Sequence, residues 1–269
     1  MDKIGLSIIT HNRPDFFKQA INSVPDGIDL YVVNTGDDLT GYTQEVYKKA
    51  KKVHEYKKKF WVGIGKNQAL RMMLQDDCDY LFLMEDDVVI KNSTIFETYI
   101  KTAKKSGLWT LNYGGHGNYN RNPQTGDIVV KNTIDYDGID VDFYHNILGA
   151  FTFFHKGVIK NVGYHDEIYK NAFEHVDLHY RCILKGIMPP FWCFPDIHNS
   201  WEYIDDIKKN FEGSEIRKNK EEWAKNLQDA IEYFKYLYGC YPQDVKQTDE
   251  TKILQRLEEI KQNYSKKDE

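Results

Sequence analysis

Tyr80-Leu81-Phe82-Leu83-Met84-Glu85-Asp86-Asp87-Val88-Val89-Ile90 decides the reading of the fold. An apolar run meets three consecutive carboxylates and then turns apolar again. A short continuous apolar run predicts a strand buried on both faces, as strands of a parallel sheet are. Adjacent acids at its end repel one another and are costly to desolvate. A divalent cation would relieve both costs, so the question is whether the rest of the chain builds a site around that end.

Upstream, Ile4–Thr10 reads as a first strand, followed by the turn His11-Asn12-Arg13-Pro14-Asp15 with Pro14 in the tolerated first turn of a helix. Phe16, Phe17, Ala20, Ile21 and Val24 recur at helical spacing until Pro25-Asp26-Gly27. Residues 28–33 form a second strand and Asn34-Thr35-Gly36-Asp37-Asp38 a polar loop at its end. This βαβ pattern predicts parallel strands with a right-handed crossover. Residues 41–59 read as a helix and then a basic loop, and Val62-Gly63-Ile64-Gly65-Lys66-Asn67 as a glycine turn opening a helix over 68–74.

Downstream, Ser93 or Thr94 is placed to cap a helix that ends at Ser106-Gly107. Residues 108–111 and 147–154 read as strands, and 113–142 as an irregular or hairpin-like stretch of functional length. A helix is expected over 171–186 with Asn171 at its N-cap and Glu174 three residues on, and a last strand over 191–194. From about residue 205 the composition turns to Lys/Glu-rich helix, with Trp223, Leu227, Ile231, Phe234 and Leu237 at helical spacing. The expected organisation is an α/β domain over 1–204 with a mainly parallel sheet, and a C-terminal helical extension over 205–269.

The bulk numbers agree with one sizeable core: 269 residues, 41% hydrophobic and 14% aromatic. A formal charge of -5 argues against a general nucleic-acid grip. The basic run from Lys48 to Lys59 has two readings, a solvated helix face or a patch for an acceptor or a membrane surface. Cys78, Cys182, Cys193 and Cys240 are scattered without CxxC spacing, which suits free thiols. No window approaches the ~18 apolar residues of a membrane span. The expectation is a cytoplasmic protein without a transmembrane segment, with peripheral membrane contact left open.

Ligands of open α/β sheets bind outside the carboxyl ends of the strands. This chain places Thr10, His11, Asn12 and Arg13 there, then Asn34 to Asp37, the Gly63–Asn67 turn, and Glu85, Asp86 and Asp87. A lysine and turn amides facing an anion, opposite carboxylates suited to Mg²⁺ or Mn²⁺, describe a nucleoside-diphosphate site. The turn has neither Walker nor GxGxxG spacing. Glu174, Asp177 and Arg181 fall on one helical face, and His175 can serve as a base near neutral pH.

Ser7-Ile8-Ile9-Thr10-His11-Asn12-Arg13, Gly63 to Asn67, Glu85-Asp86-Asp87, Gly149-Ala150-Phe151, Val162 to Glu167 and Glu174-His175-Val176-Asp177-Leu178 with Arg181 follow one another in an order that resembles family 2 glycosyltransferases. The similarity spans roughly residues 4–200. It implies the GT-A fold, a nucleotide-sugar donor with a UDP-sugar favoured, a glycan or glycoconjugate acceptor, a divalent metal, and inversion at the anomeric carbon. It also implies that Thr10, Asn12, Arg13, Asn34, Lys66, Asn67, Glu85 and Asp86 line the donor, with Asp86 at the ribose. Asp87 is the implied metal ligand, and His198, after the last strand, the implied histidine that completes the metal shell. Two positions depart from the family pattern: Asn34 stands where Asp is usual, and Glu174-His175 where Glu-Asp carries the base. Glu174 or His175 is therefore the expected base, with Asp177 as a further candidate. The competing readings are a nucleotidyltransferase, which would need a glycine-rich basic loop after the first strand, and a non-catalytic nucleotide- or sugar-binding module.

Overall fold

The computed structural model describes residues 2–208 and 214–265. In chain order the elements are β1 (Ile4–Thr10), α1 (Pro14–Ser23), β2 (Asp29–Asn34), α2 (Gln44–Tyr47), β3 (Lys52–Glu55), α3 (Val62–Gln75), β4 (Tyr80–Glu85), β5 (Val88–Ile90) and α4 (Ile95–Ser106). They continue with β6 (Thr110–Asn112), β7 (Asn132–Asp135), β8 (Asp140–Tyr144), β9 (Phe151–His155), α5 (Lys156–Val162) and α6 (Glu174–Leu184). The last are β10 (Phe194–Ile197), β11 (Ile204–Asp206), α7 (Lys220–Tyr238) and α8 (Glu250–Ser265).

The main sheet has the order β3-β2-β1-β4-β9-β6. β1, β2, β3 and β4 run parallel, and β9 enters antiparallel beside β4. The apolar half of the acidic stretch is thus a central strand, with Leu81, Phe82, Leu83 and Met84 each at most 1% exposed. Phe82 meets Phe96 and Tyr99 of α4 edge-on, with ring centroids 4.9 and 5.9 Å apart. Register aligns the strand ends, pairing Ile9 with Glu85 and Thr10 with Asn34. All three polar strand ends therefore open on one rim of the sheet. A second sheet, β10-β8-β7, is antiparallel, and β11 pairs with β5 just beyond the acidic turn.

Four local expectations change. The glycine turn is itself helical: α3 starts at Val62. Gly65 is there because a Cβ would lie 2.7 Å from Thr35 Cγ2 and 3.1 Å from Ile9 Cγ2, so the helix can approach β1 and β2 only without a side chain. Lys52–Glu55 is a strand rather than part of a basic loop. It is a sheet edge, where charged side chains discourage edge-to-edge pairing, and Lys51 and Lys52 pair with Asp76. The basic run accordingly divides among a turn, this edge and a loop, and no helix carries it as one face. Finally, Asn171 does not cap α6; Phe173 in the left-handed region precedes it, and the strand expected over 191–194 falls at 194–197, with β11 still to follow.

Cys78, Cys182 and Cys193 are buried and all four cysteines are free. Among the described residues no helix is long and apolar enough to cross a membrane.

Gly65→Ala tests the close approach of α3. Alanine gains about 1 kcal/mol of helix propensity, but overpacking costs about 1–3 kcal/mol, and Thr35 is held by Thr10 and His11 and cannot turn aside. The expected outcome is a lower urea midpoint with an unchanged slope.

Candidate active site

The acids of the opening stretch leave β4 in different directions, Asp86 and Asp87 toward Arg13 and Glu85 toward Lys66. Thr10 Oγ1 donates to Asp86 Oδ2 at 2.6 Å and lies 2.6 Å from the Tyr42 hydroxyl. Arg13, at the start of α1, bridges Asp86 and Asp87, reaching Asp87 Oδ2 at 3.3 Å. Burial pushes the Asp86 carboxyl up to about 6, against the pull of Arg13. Burial also works against charge on Asp87, but His116 and Arg13 outweigh it and bring that carboxyl below its ordinary value. Glu85 turns the other way, to Lys66 Nζ at 2.7 Å. The repulsion read from the sequence is thus already relieved by two cations, one from the β1–α1 turn and one from α3.

Lys66 is nearly as deeply buried as Asp86, with its side chain 2% exposed. Its ammonium donates to Glu174 Oε1 at 2.9 Å and to the Gly149 carbonyl at 3.1 Å, besides Glu85. Burial disfavours the cation, yet the two carboxylates keep it charged and above its ordinary pKa. Glu174 is likewise buried. Burial opposes its charge, but Lys66 and His175 hold its carboxyl well below the usual range. Its Oε1 lies 3.1 Å from His175 Nδ1. A Cβ on Gly149 would come within 2.8 Å of Lys66 Nζ and 3.1 Å of His175 Nδ1, so this glycine makes room for the whole cluster.

Asp87 Oδ1 is buried and has no hydrogen-bond partner among the described residues. That oxygen fits a divalent cation of the kind that takes one or two carboxylates and completes its shell with phosphate oxygens and water. An all-protein cage is not available: no group of three or more His, Cys, Asp or Glu among the described residues is arranged to hold a metal. His198 lies elsewhere. Its Nδ1 is 3.0 Å from Asp142 Oδ1, and it lines neither cavity described below. The histidine beside Asp87 is His116, whose Nδ1 lies 2.8 Å from Asp206 Oδ1 and which shares a cavity wall with Asp87.

Two cavities meet at this cluster. The first, of about 370 Å³, is lined by Thr10, Asn12, Arg13, Glu85 and Asp86 from the expected set. Its other walls come from His11, Thr35, Asp37, Phe60, Trp61 and Asn219. The second, of about 460 Å³, has Asp87, Glu174 and His175 in its wall, with Trp192, Trp223 and His145 around it. Arg13, Val62, Glu85, Asn171 and Ile216 line both.

Several predicted residues stay outside both cavities. Asn34 is fully buried, accepting from the Gly36 amide and donating to Tyr47, so it shapes the loop that carries Thr35 and Asp37. Asn67 is pinned to His165 and Glu167. Asp177 accepts from Arg181 at 2.9 Å and from Tyr238 at 2.6 Å, a contact between α6 and α7. Of the aromatics near loops, Trp192 reaches a cavity, whereas Trp109 and Tyr113 are core. Phe60, Trp61, His116, His145 and Arg217 carry no spacing signal and enter the site only through tertiary folding.

No protein-family model matches the sequence, and no curated protein matches it. Among solved structures, the chain is similar to S. aureus TarS 1-349, with a TM-score of 0.52 at 16% identity over 90% of this chain and 73% of that one. The same protein in complex with UDP-GlcNAc gives a TM-score of 0.54 at 16% identity over 90% of this chain and 74% of that one. A longer TarS structure is covered over 44% of its length, with a TM-score of 0.53 at 16% identity. At this identity the likeness establishes a shared fold: a mixed α/β architecture with a mainly parallel central sheet flanked by helices.

Lys66→Met leaves the buried Glu174 without its cation. Breaking such a pair costs about 3–5 kcal/mol, and Lys66→Met with Glu174→Gln should recover part of that loss. Urea unfolding of the single and double variants measures both.

Proposed function

We propose that the chain is a glycosyltransferase of the GT-A type, moving a sugar from a nucleotide-sugar, with a UDP-sugar favoured, to a hydroxyl of a glycan or glycoconjugate. The observation that carries this reading is the pair of cavities meeting at Arg13 and Glu85, one beside the strand-end acids and one beside Glu174 and His175. A transfer between two bound molecules needs two adjoining sites, with the donor's reacting carbon at their junction. S. aureus TarS, which shares the fold, has been captured with UDP and with UDP-GlcNAc, and this supports a uridine nucleotide as the donor carrier.

In this reading the first cavity takes the nucleotide. Phe60 and Trp61 offer apolar faces to the base, Asp86 and Asp37 hydrogen-bond acceptors to sugar hydroxyls, and Arg13 a cation for the diphosphate. Asp87, through Oδ1, would hold Mn²⁺ or Mg²⁺, which when bound supplies charge for the departing diphosphate. The second cavity takes the acceptor. Its aromatic walls suit the apolar faces of sugar rings, and a base drawn from the Glu174–His175 pair faces the hydroxyl. Attack from that side, opposite the leaving group, is direct displacement and inverts the anomeric centre. The sugar is of the hexosyl or N-acetylhexosaminyl class.

Titration calorimetry with UDP, with and without Mn²⁺, tests the donor site. Wild type should bind more tightly with Mn²⁺, and Asp87→Asn should lose most of that gain, by about tenfold or more. Absence of UDP binding under both conditions, with no turnover of any nucleotide-sugar, would overturn the reading.

A further inference from the structure

Resting on that reading, the geometry assigns the two members of the pair different tasks: His175 is the general base, and Glu174 is a positioning residue that fixes its tautomer. Glu174 is adjacent to His175 in sequence, yet the two side chains have opposite surroundings. Glu174 is 3% exposed and committed to Lys66, whereas the His175 ring is 21% exposed at the wall of the acceptor cavity. A carboxylate neutralised by a buried ammonium is a poor proton acceptor, because taking the proton would break the pair with Lys66.

An ionised carboxylate can only accept a hydrogen bond. At the 3.1 Å contact with Glu174 Oε1, His175 Nδ1 must therefore carry the hydrogen, and the neutral ring has its lone pair on Nε2. No described residue bonds to that nitrogen. The backbone at His175 is fixed as well. The His175 backbone carbonyl accepts from His179 Nδ1 at 2.7 Å, which leaves His179 Nε2 to accept from Thr110 Oγ1 at 3.1 Å. Gly149, with no side chain, lets the ring lie against the backbone.

The step balances without any added redox partner. Nε2 takes the acceptor hydroxyl proton, the freed oxygen pair forms the bond to the anomeric carbon, and the carbon–oxygen bond to the diphosphate breaks with its electrons leaving on phosphate. The imidazolium so formed sits beside Glu174, and the exposed edge of the ring can pass the proton to water. The groups facing His175 are Glu174 on its own helix, Lys66 from α3, His165 from the loop before α6 and His179 one turn on. Arg13, Glu85, Asp87, His116, His145 and Arg217 share its cavity.

The test combines a substrate-free measurement with two variants. Long-range ¹H–¹⁵N spectra of the full chain should show neutral His175 protonated on Nδ1. His175→Gln should lower kcat by about 10²–10⁴ with the UDP Kd unchanged, and it leaves the Lys66–Glu174 pair in place. Glu174→Gln keeps an acceptor but loses the charge, so the same spectra should show less of the Nδ1-protonated tautomer of His175, with a smaller loss of kcat than in His175→Gln and the UDP Kd unchanged. A neutral His175 protonated on Nε2, or a His175→Gln enzyme within about threefold of wild type, would overturn the assignment. So would a folded Glu174→Gln protein that is inactive at every pH while His175→Gln still turns over. Failure of wild type to bind UDP would instead overturn the transferase reading, and the base role with it, while the tautomer result would stand.

Discussion

A buried ammonium has three hydrogens and no tolerance for leaving them unbonded, and this constraint organises the molecule around Lys66. Its three partners, Glu85, Glu174 and the Gly149 carbonyl, come from the end of β4, the start of α6 and the approach to β9. They lie up to 108 residues from it in sequence. Each partner alone would be costly to bury; together they satisfy all three N–H groups and place opposite charge on two sides. Glu85 at the strand end and Glu174 at the start of α6 are thereby held through one atom. A shift of α3 relative to the sheet would move both, so the tight fit of Gly65 against Thr35 and Ile9 also serves the charge cluster.

The same economy governs the acidic triplet. Three adjacent carboxylates are tolerable at a strand end because the chain turns sharply after Glu85 and divides them between two cations, Lys66 and Arg13. Arg13 and Thr10 take Asp86, Arg13 also reaches Asp87 Oδ2, and Lys66 takes Glu85; among the described residues Asp87 Oδ1 is the buried oxygen of the triplet that has no hydrogen-bond partner. Arg13 and Lys66 thus offset part of the negative charge that these acids and Glu174 bring together. A divalent cation would find Asp87 Oδ1 as its ligand here, a more selective arrangement than three open carboxylates. β11, pairing with β5, brings Asp206 and through it His116 to the same place.

Much of this fold was legible from residues 4–34 and 80–90, where hydrophobic runs of strand length end in polar loops. These strands are central, so burial on both faces leaves a strong pattern. The start of α3 was not legible because glycine reads locally as a helix breaker, and its reason is a contact with Thr35 and Ile9. β3 was missed because an edge strand needs no apolar alternation. The Asn171–Glu174 spacing is a genuine capping pattern, yet Glu174 gains more from Lys66 than from a helix-end amide. His198 and His116 show the limit of linear order: both follow strands, and only the tertiary path decides which one shares a wall with Asp87. The Glu174-His175 pair could be located from sequence, but the division of labour within it depends on burial, which no local pattern encodes.

The chain beyond residue 205 is built into the site. Ile216 lines both cavities, and Trp223, Leu227 and Ile231, one helical face of α7, wall the second. Lys59 and Glu222, 3.6 Å apart, tie this segment to the loop beside Phe60 and Trp61. α7 is in turn anchored by Phe234, which is fully buried against Tyr180 with ring centroids 5.2 Å apart, and by Tyr238 on Asp177. Asp177, conspicuous in sequence on the same face as Glu174, thus lies one layer back, holding the helix that walls the second cavity. Enclosure matters because Coulomb interactions strengthen as water leaves. Ser214, Ile216, Arg217 and the apolar face of α7 wall the same cavity as Glu174 and His175, so the helices that look least like an active site help to exclude water around the pair.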